Sequence, residues 1–349
     1  VSDKPATDRS ATAESARTVP IGFVRGAVAT AARRGVDTSD LLRSVGVAPD
    51  LIAQDRARVT VTQMAHTVRR LWRLSDDELF GLGPRPVPRG TLRLIGYGLL
   101  GCPDLGSALA RFTDYQRLTP GLPPMTAVTA RARTRFTLDT AVLDDPEHLI
   151  TAFLLASAHR FMAWGIGRRI PLRQVELPFP RPRNIGDYDL VFGIRPTFDS
   201  ATAALVFESS LLSSPIVRDE AALLAWLRDA PTDLLARRDY GSSMSEQVRR
   251  ILARGLTGTW PSAEDIADRL SLSAPTVRRR LGEEGTSITV IKEEILRDAA
   301  IASLVAGTET VEELSSRLGF SEPSAFRRAF RRWTGSPPGA YRARAGERS

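Results

Sequence analysis

The chain is poor in the residues that build disulfide and metal chemistry. Its 349 residues include one cysteine, Cys102, and three histidines. A lone thiol excludes an intramolecular disulfide and a multi-cysteine metal site, and fits a reducing cytoplasm. His66, His148 and His159 are scattered. There is no HExxH zinc pair and no GxxxxGK[ST] phosphate loop, so the sequence predicts no metal and no cofactor. Long apolar runs are missing too. The nearest, residues 149–164 (LITAFLLASAHRFMAW), is interrupted by His159 and Arg160. It reads as a buried helix and not as a membrane span. Residues 1–19 have no apolar core and read as a disordered tail, not a signal peptide. Lysine is almost absent: of the 48 Lys+Arg, all but Lys4 and Lys292 are arginine. With abundant alanine, that skew matches a GC-rich coding bias, so the net charge of +8 decides little by itself.

What is present is globular. The chain is 42% apolar and 25% charged, which excludes wholesale disorder. Its length predicts about two domains. Residues 20–236 read as α+β. Helical spacing covers 22–34, 38–44, 60–75 and 105–117, with Met64, Val68, Leu71 and Trp72 on one stripe. Residues 81–90 are a Gly- and Pro-rich loop. Residues 127–138 alternate, which predicts one half-exposed strand with Arg131, Arg133 and Arg135 on its outer face. A helix follows at 147–164, short strands at 173–179, 188–193 and 203–208, and a last helix at 220–236, broken at Pro231. Residues 237–243 read as a linker.

From Met244 onward the pattern is all-helical, with segments at 244–256, 262–270, 274–284, 288–305, 310–317 and 322–333. Ser262 with Asp265, and Thr310 with Glu313, have the spacing of helix N-terminal caps. An internal near-repeat runs through this region. Residues 267–281 (ADRLSLSAPTVRRRL) return as 315–330 (SSRLGFSEPSAFRRAF). Leu270, Leu272 and Ser273 match Leu318, Phe320 and Ser321; after one extra residue, Val277 and Leu281 match Phe326 and Phe330. Each copy reads as a short capped helix, a tight turn and a second helix, the helix-turn-helix plan. At about 100° per residue, Val277 and Leu281 mark a buried stripe and Arg279 points outward, flanked by Arg278. Phe326 and Phe330 do the same for Arg328, flanked by Arg327. A guanidinium reads guanine O6 and N7 bidentately. Thr276, Pro275 and Ser324 lie on the same outer side and complete the candidate DNA-facing set.

Residues 319–342 (GFSEPSAFRRAFRRWTGSPPGAYR) carry Gly319, Phe320, Ser324, Phe326, Phe330, Gly335, Pro337, Tyr341 and Arg342. That set resembles the C-terminal signature of AraC/XylS-type transcription regulators, and 244–344 resembles the family's two-unit DNA-binding domain. The resemblance implies an all-α domain with units at about 262–284 and 310–333, joined by a linker helix at about 288–305. It also implies binding to successive major grooves about 34 Å apart, with Arg279 and Arg328 matching the groove-reading arginines. Pro275 departs from the polar reader that relatives commonly carry there. Residues 34–118, with Pro178, Tyr188, Phe192, Gly193, Phe198 and 205–207, resemble the arabinose-binding-like N-terminal domain of one AraC subgroup. By that resemblance 20–236 is an effector-binding and dimerisation domain. The partners implied are promoter DNA, RNA polymerase, an unidentified small molecule and a second copy of the chain, with no membrane.

Other chemistry finds little support. His148 beside Asp144, Asp145 and Glu147 reads as a helix start with dipole-matching acids. Gly165-x-Gly167 lacks a third glycine and a preceding strand. The arginines at 131, 133 and 135 suit a solvated strand face better than an anion site. Core packing is the default for the aromatics, but Trp72, Tyr97, Phe112, Tyr115, Phe161 and Trp164 could line a pocket, and all of these except Trp72 form the candidate ligand set. The expected function is therefore a sequence-specific transcription activator responding to a small molecule, not an enzyme. Two alternatives stay open: an enzyme domain tethered to a DNA-binding module, or a regulator whose N-terminal domain only dimerises. No nucleophile–base–orienter set supports the enzyme reading. Residues 243–349 hold 17 Lys+Arg against 14 Asp+Glu, so placement, not overall charge, carries the DNA reading.

Overall fold

The computed structural model describes residues 18–33, 35–146, 148–182, 188, 191–235, 243–257 and 259–342. The expected tail up to residue 17, and the expected linker from 237 to 242, lie outside the described residues.

The elements follow in chain order. β1 (Thr18–Pro20), α1 (Ile21–Arg33), α2 (Thr38–Ser44), α3 (Pro49–Ile52), β2 (Arg58–Thr60) and α4 (Val61–Ser75) come first. α5 (Thr91–Leu100) and α6 (Leu105–Leu118) precede a hairpin of β3 (Met125–Ala130) and β4 (Arg133–Leu138). Then come α7 (Leu149–Gly165), β5 (Leu172–Glu176), β6 (Ala203–Glu208) and α8 (Glu220–Leu235). The C-terminal helices are α9 (Met244–Ala253), α10 (Ala263–Arg269), α11 (Ala274–Glu283), α12 (Ile288–Ala306), α13 (Val311–Arg317) and α14 (Pro323–Thr334). This is the expected mixture, with sheets confined to the N-terminal region and helices following.

Several elements differ from the pattern reading. The segment 127–138 is not one strand but most of a hairpin, because Arg131 adopts a left-handed φ of 55° and reverses the chain. Alternation masked the turn, since a two-residue connection preserves it. The strand expected at 188–193 is absent among the described residues there; 188, 191 and 192 are helical. α8 runs through Pro231 unbroken, although proline cannot donate to the carbonyl one turn back. The pattern reading passed over α3, α5 and the short strands β1 and β2.

By contacts the chain forms two compact units that do not follow chain order. One comprises residues 23–41 and 65–240; the other joins residues 1–22 and 42–64 to 241–349. The first unit is built on a four-stranded antiparallel sheet in the order β3-β4-β6-β5. β6 is central and buried along its length (AALVFE), whereas the edge strand β3 is exposed beyond Met125. Within β4 the alternation holds: Thr134, Phe136 and Leu138 point inward. α7 packs against β6. Apolar all round, it can bury every face. Its two interrupting residues are buried rather than solvated. His159 Nε2 lies 2.8 Å from the Ile170 carbonyl, and burial lowers its pKa to about 4. Arg160 Nη2 donates to the Val191 carbonyl at 3.3 Å.

In the second unit β1 pairs antiparallel with β2, Thr18 opposite Thr60, and both strands contact α12. Met244, Val248, Leu252, Ile266, Val277, Leu281, Ile291 and Ile295 form one apolar core under α9, α10 and α11. Farther along α12, Ala300, Ile301 and Leu304 are buried, as are Leu314, Phe326 and Phe330. α12 contacts both α13 and α14. One helix therefore supplies apolar surface to both helical pairs.

Candidate functional site

The repeat seen in the sequence is a repeat of backbone geometry. α10 begins at Ser262 and α13 at Thr310, each with a reciprocal capping box closed by Asp265 and Glu313. These bonds hold both carboxyls below their usual range. Both helices end in the same turn. Leu272 N donates to the Ala267 carbonyl, and Phe320 N to the Ser315 carbonyl, each at 3.0 Å. The residue inside the turn is left-handed in both copies, Ser271 at φ 53° and Gly319 at φ 82°. Only Gly319 takes that conformation without a side-chain penalty.

The second helices then start differently. Ser273 caps α11 by accepting from Thr276 N, and Pro275 occupies the first turn, where its missing N–H costs nothing. α14 starts after Glu322, which makes no side-chain cap, and carries Pro323 in its first turn. The stripes fall where helical spacing puts them. Val277 and Leu281 are buried, as are Phe326 and Phe330, with ring centroids of the last two 5.7 Å apart. Phe330 meets Tyr341 edge-on at 5.3 Å, so the terminal segment closes this small core.

The outer faces carry the expected side chains. Pro275, Arg278, Arg279, Ser324, Arg327 and Arg328 are exposed, and Thr276 is half-buried. Their ion pairing could not be read from the pattern. Arg279 is paired with Glu283 one turn on, and Arg278 approaches Glu264 at 3.8 Å. Arg327 donates to Glu312 at 2.8 Å, and Arg332 to Glu293 at 2.7 Å. Ser324 Oγ donates to Glu322 at 3.0 Å. Arg328 has no acidic partner among the described residues, and neither do Arg280 and Arg331, which the face assignment passed over. The two outward arginines are thus equivalent in position but not in state: one is tied, one is free.

A second constellation holds the pairs of helices together. Glu309 receives Ser303 Oγ and a bidentate guanidinium from Arg317, while Arg342 donates to its carbonyl at 2.9 Å. Hydrogen bonding from Arg317, then from Ser303, keeps its carboxyl below the usual range despite partial burial. Near the middle of α12, Asp298 accepts from Thr18 Oγ1 at 2.6 Å and pairs with Arg297 at 3.0 Å and Arg58 at 3.8 Å. Arg58 in turn donates to Thr18 Oγ1 and to the Thr18 carbonyl, at 2.7 and 2.9 Å. No spacing rule links residues 18, 58 and 298, so only the fold reveals this network.

The first unit contains a partly open apolar cavity of about 190 Å³. Phe112, Phe161 and Trp164 of the expected aromatic set line it. Tyr97 and Tyr115 do not. Ile95, Gly96 and Leu99 of α5 face the cavity, which turns Tyr97 away by helical geometry. The Tyr115 ring occupies the space that a Cβ on Gly98 would need, packing α6 tightly on α5. Trp72, already among the aromatics that could line a pocket, lines the cavity, as do Phe153 and Trp226, which were not. The arginines of the hairpin do not converge into an anion site. Arg135 is paired bidentately with Glu176, Arg133 stands opposite Glu208, and Arg131 sits in the turn. His148 stacks on Phe179 at 4.4 Å, and Asp145 accepts from Ile150 N and Thr151 N at the start of α7, a structural role. No cluster of three or more metal-ligating side chains exists among the described residues. None of the described helices is long and apolar enough to cross a membrane.

With this geometry in place, comparison with known proteins decides the family. A model described as the arabinose-binding domain of AraC transcription regulators, N-terminal, matches residues 35–216, and a helix-turn-helix domain model matches 266–344. The chain belongs to the AraC-type transcription regulators. The ornithine utilization regulator of Pseudomonas aeruginosa is 24% identical over 94% of this chain and 97% of its own. The regulator VqsM of the same organism is 40% identical over 24% of this chain and 26% of its own. A crystal structure of the regulator CdpR from Pseudomonas aeruginosa is 22% identical over 92% of this chain and 97% of that one, with a TM-score of 0.30. The regulator is accordingly a DNA-binding protein with two helix-turn-helix units and an effector-type N-terminal domain.

Proposed function

We propose that this regulator binds promoter DNA as a homodimer, lays α11 and α14 into successive major grooves, and activates transcription through RNA polymerase when a small molecule occupies its N-terminal cavity. The observation that carries the DNA part is the positional equivalence of Arg279 and Arg328 on two helices with matching buried stripes. Each central arginine reads one guanine, a contact contributing about 1–3 kcal/mol of discrimination. Arg278, Arg327, Thr276 and Ser324 supply phosphate or further base contacts, and Pro275 brings backbone close to the groove without a hydrogen bond of its own. Residues 244–344 are the DNA-binding part. Residues 20–236 sense and dimerise, and the cytoplasm is the site of action.

The test is genome-wide footprinting, then salt titration and transcription in vitro on the sites found. Sites should consist of paired half-sites about one helical turn apart. Affinity should fall log-linearly with salt, at about −0.9 per phosphate neutralised. Transcript yield should rise when protein is added with polymerase and a small molecule that binds the cavity. Binding with no preferred sites, or repression at every site, overturns the proposal.

A further inference from the structure

The cavity in the first unit contradicts the sugar that its domain type's description suggests. A pentose presents several hydroxyls, each of which loses water on entry and must be repaid by a hydrogen bond. These walls are almost wholly apolar. Phe161, Trp164 and Trp226 form one wall, their ring centroids 5.3 to 5.7 Å apart. Trp72, Phe112 and Phe153 contribute more aromatic surface.

Among the described residues, two side chains with strong hydrogen-bonding groups other than indole line the space, Glu78 and Ser157. The Glu78 carboxylate is already used. Its two oxygens accept from Gly90 N at 2.7 Å and Leu92 N at 2.9 Å, fixing the start of α5. Burial pushes its carboxyl up, so it is a poor counter-ion for an incoming ammonium group. Ser157 differs. Its hydroxyl is buried without any hydrogen-bond partner, and it does not bond back to the preceding turn as helical serines commonly do. A trapped water needs two to four polar partners, and these walls do not provide them. An unmet hydroxyl in an apolar aromatic chamber is therefore a one-point recognition device.

We propose that the effector is an uncharged, mainly aromatic or hydrocarbon molecule with a single hydrogen-bonding group that meets Ser157. This rests on the reading that the N-terminal domain senses a small molecule, and it names the ligand class. An apolar cavity of about 150 Å³ takes a benzene ring. A cavity of about 190 Å³ accepts a substituted single ring of about seven to eight heavy atoms on the same scale.

The test uses the full-length protein and four probes: 4-methylphenol, toluene, L-arabinose and L-ornithine. Binding is followed by calorimetry and tryptophan fluorescence, since three tryptophans line the cavity. The methylphenol should bind at one site per chain, about five-fold tighter than toluene, the factor expected of one neutral hydrogen bond. Ser157→Ala should bring that ratio to near one and leave toluene binding intact. Ala158→Phe, on the same wall, should abolish both, with fold checked by circular dichroism and by retained DNA binding. Binding of arabinose or ornithine but not the methylphenol overturns the ligand class and leaves the sensing reading standing. Methylphenol binding indifferent to both variants overturns the site. Methylphenol binding that Ser157→Ala weakens, but that leaves DNA affinity and transcript yield unchanged, supports the ligand class and defeats the sensing reading. Failure of all four probes overturns both.

Discussion

Removing the Asp298 carboxylate should loosen the segments at 18–20 and 58–60 from the linker helix. Asp298→Ala deletes a hydrogen bond from Thr18 and ion pairs with Arg58 and Arg297. At 3.8 Å and an effective dielectric of about 20, the Arg58 pairing alone is about 4 kcal/mol of gross Coulomb energy. Desolvation takes back a large share, because Arg58 and Asp298 side chains are only 7% and 17% exposed. Removing one partner of a buried pair costs about 3–5 kcal/mol. Arg58 keeps both bonds to Thr18, and Arg297 keeps some solvent, so the net loss should lie at the lower end, about 3 kcal/mol. Urea unfolding followed through Trp260 and Trp333 reads that loss in the C-terminal unit. Acid titration gives an independent check. Burial alone would raise the Asp298 pKa, but Arg297, Arg58 and the Thr18 hydroxyl outweigh it and lower it. A depressed folded pKa contributes stability that is full above the unfolded value of about 3.9 and is lost as pH falls through the folded value. The wild type should show that acid-linked loss, and Asp298→Ala should show less of it. A cost below about 0.5 kcal/mol, the range of an ordinary surface change, would refute the network as a structural link.

Glu283→Gln should release Arg279 from its exposed ion pair and remove an acid beside the DNA, tightening operator binding a few-fold, in keeping with about 0–1 kcal/mol for such pairs; gel-shift titration at fixed salt measures it. Ser271→Gly should stabilise the first helix-turn-helix pair by about 0.5–1 kcal/mol by relieving a left-handed serine, while Gly319→Ala should cost about 1 kcal/mol at its counterpart although the site has room for a methyl. Thermal melts of the two variants should therefore move in opposite directions. Glu309→Gln should weaken the join between α12 and the second helical pair, and its effect should vanish in acid, because a carboxyl with a lowered folded pKa contributes fully above its unfolded value and loses that contribution as pH falls through the folded value.

The C-terminal half was legible because its signals are local. Caps at Ser262 and Thr310, glycine stops and the apolar stripes of α11 and α14 all lie within a few residues of what they determine. The N-terminal half was less so. Arg131 carries none of the usual turn chemistry yet reverses the chain, and Pro231 lies within a helix that runs on to Leu235. β1 and β2 are three residues each, too short for a period to show. For the candidate site, helical geometry sufficed to place Arg279 and Arg328 outward. Which acids tie the neighbouring arginines depends on inter-helix distances, as with Arg327 and Glu312, and no spacing in the sequence encodes those. The same holds for the cavity. Aromatic residues announced a core, but which of them face an empty space depends on helix rotation, as Tyr97 and Trp226 show in opposite senses.

The central claim is that two equivalent arginines on two repeated helices read the operator. Footprinting of Arg279→Ala and Arg328→Ala on a mapped site tests it most directly. Both variants should fold normally and keep salt-dependent non-specific binding, and each should lose protection at its own half-site. Normal protection by either variant would contradict the assignment of these helices as the readers.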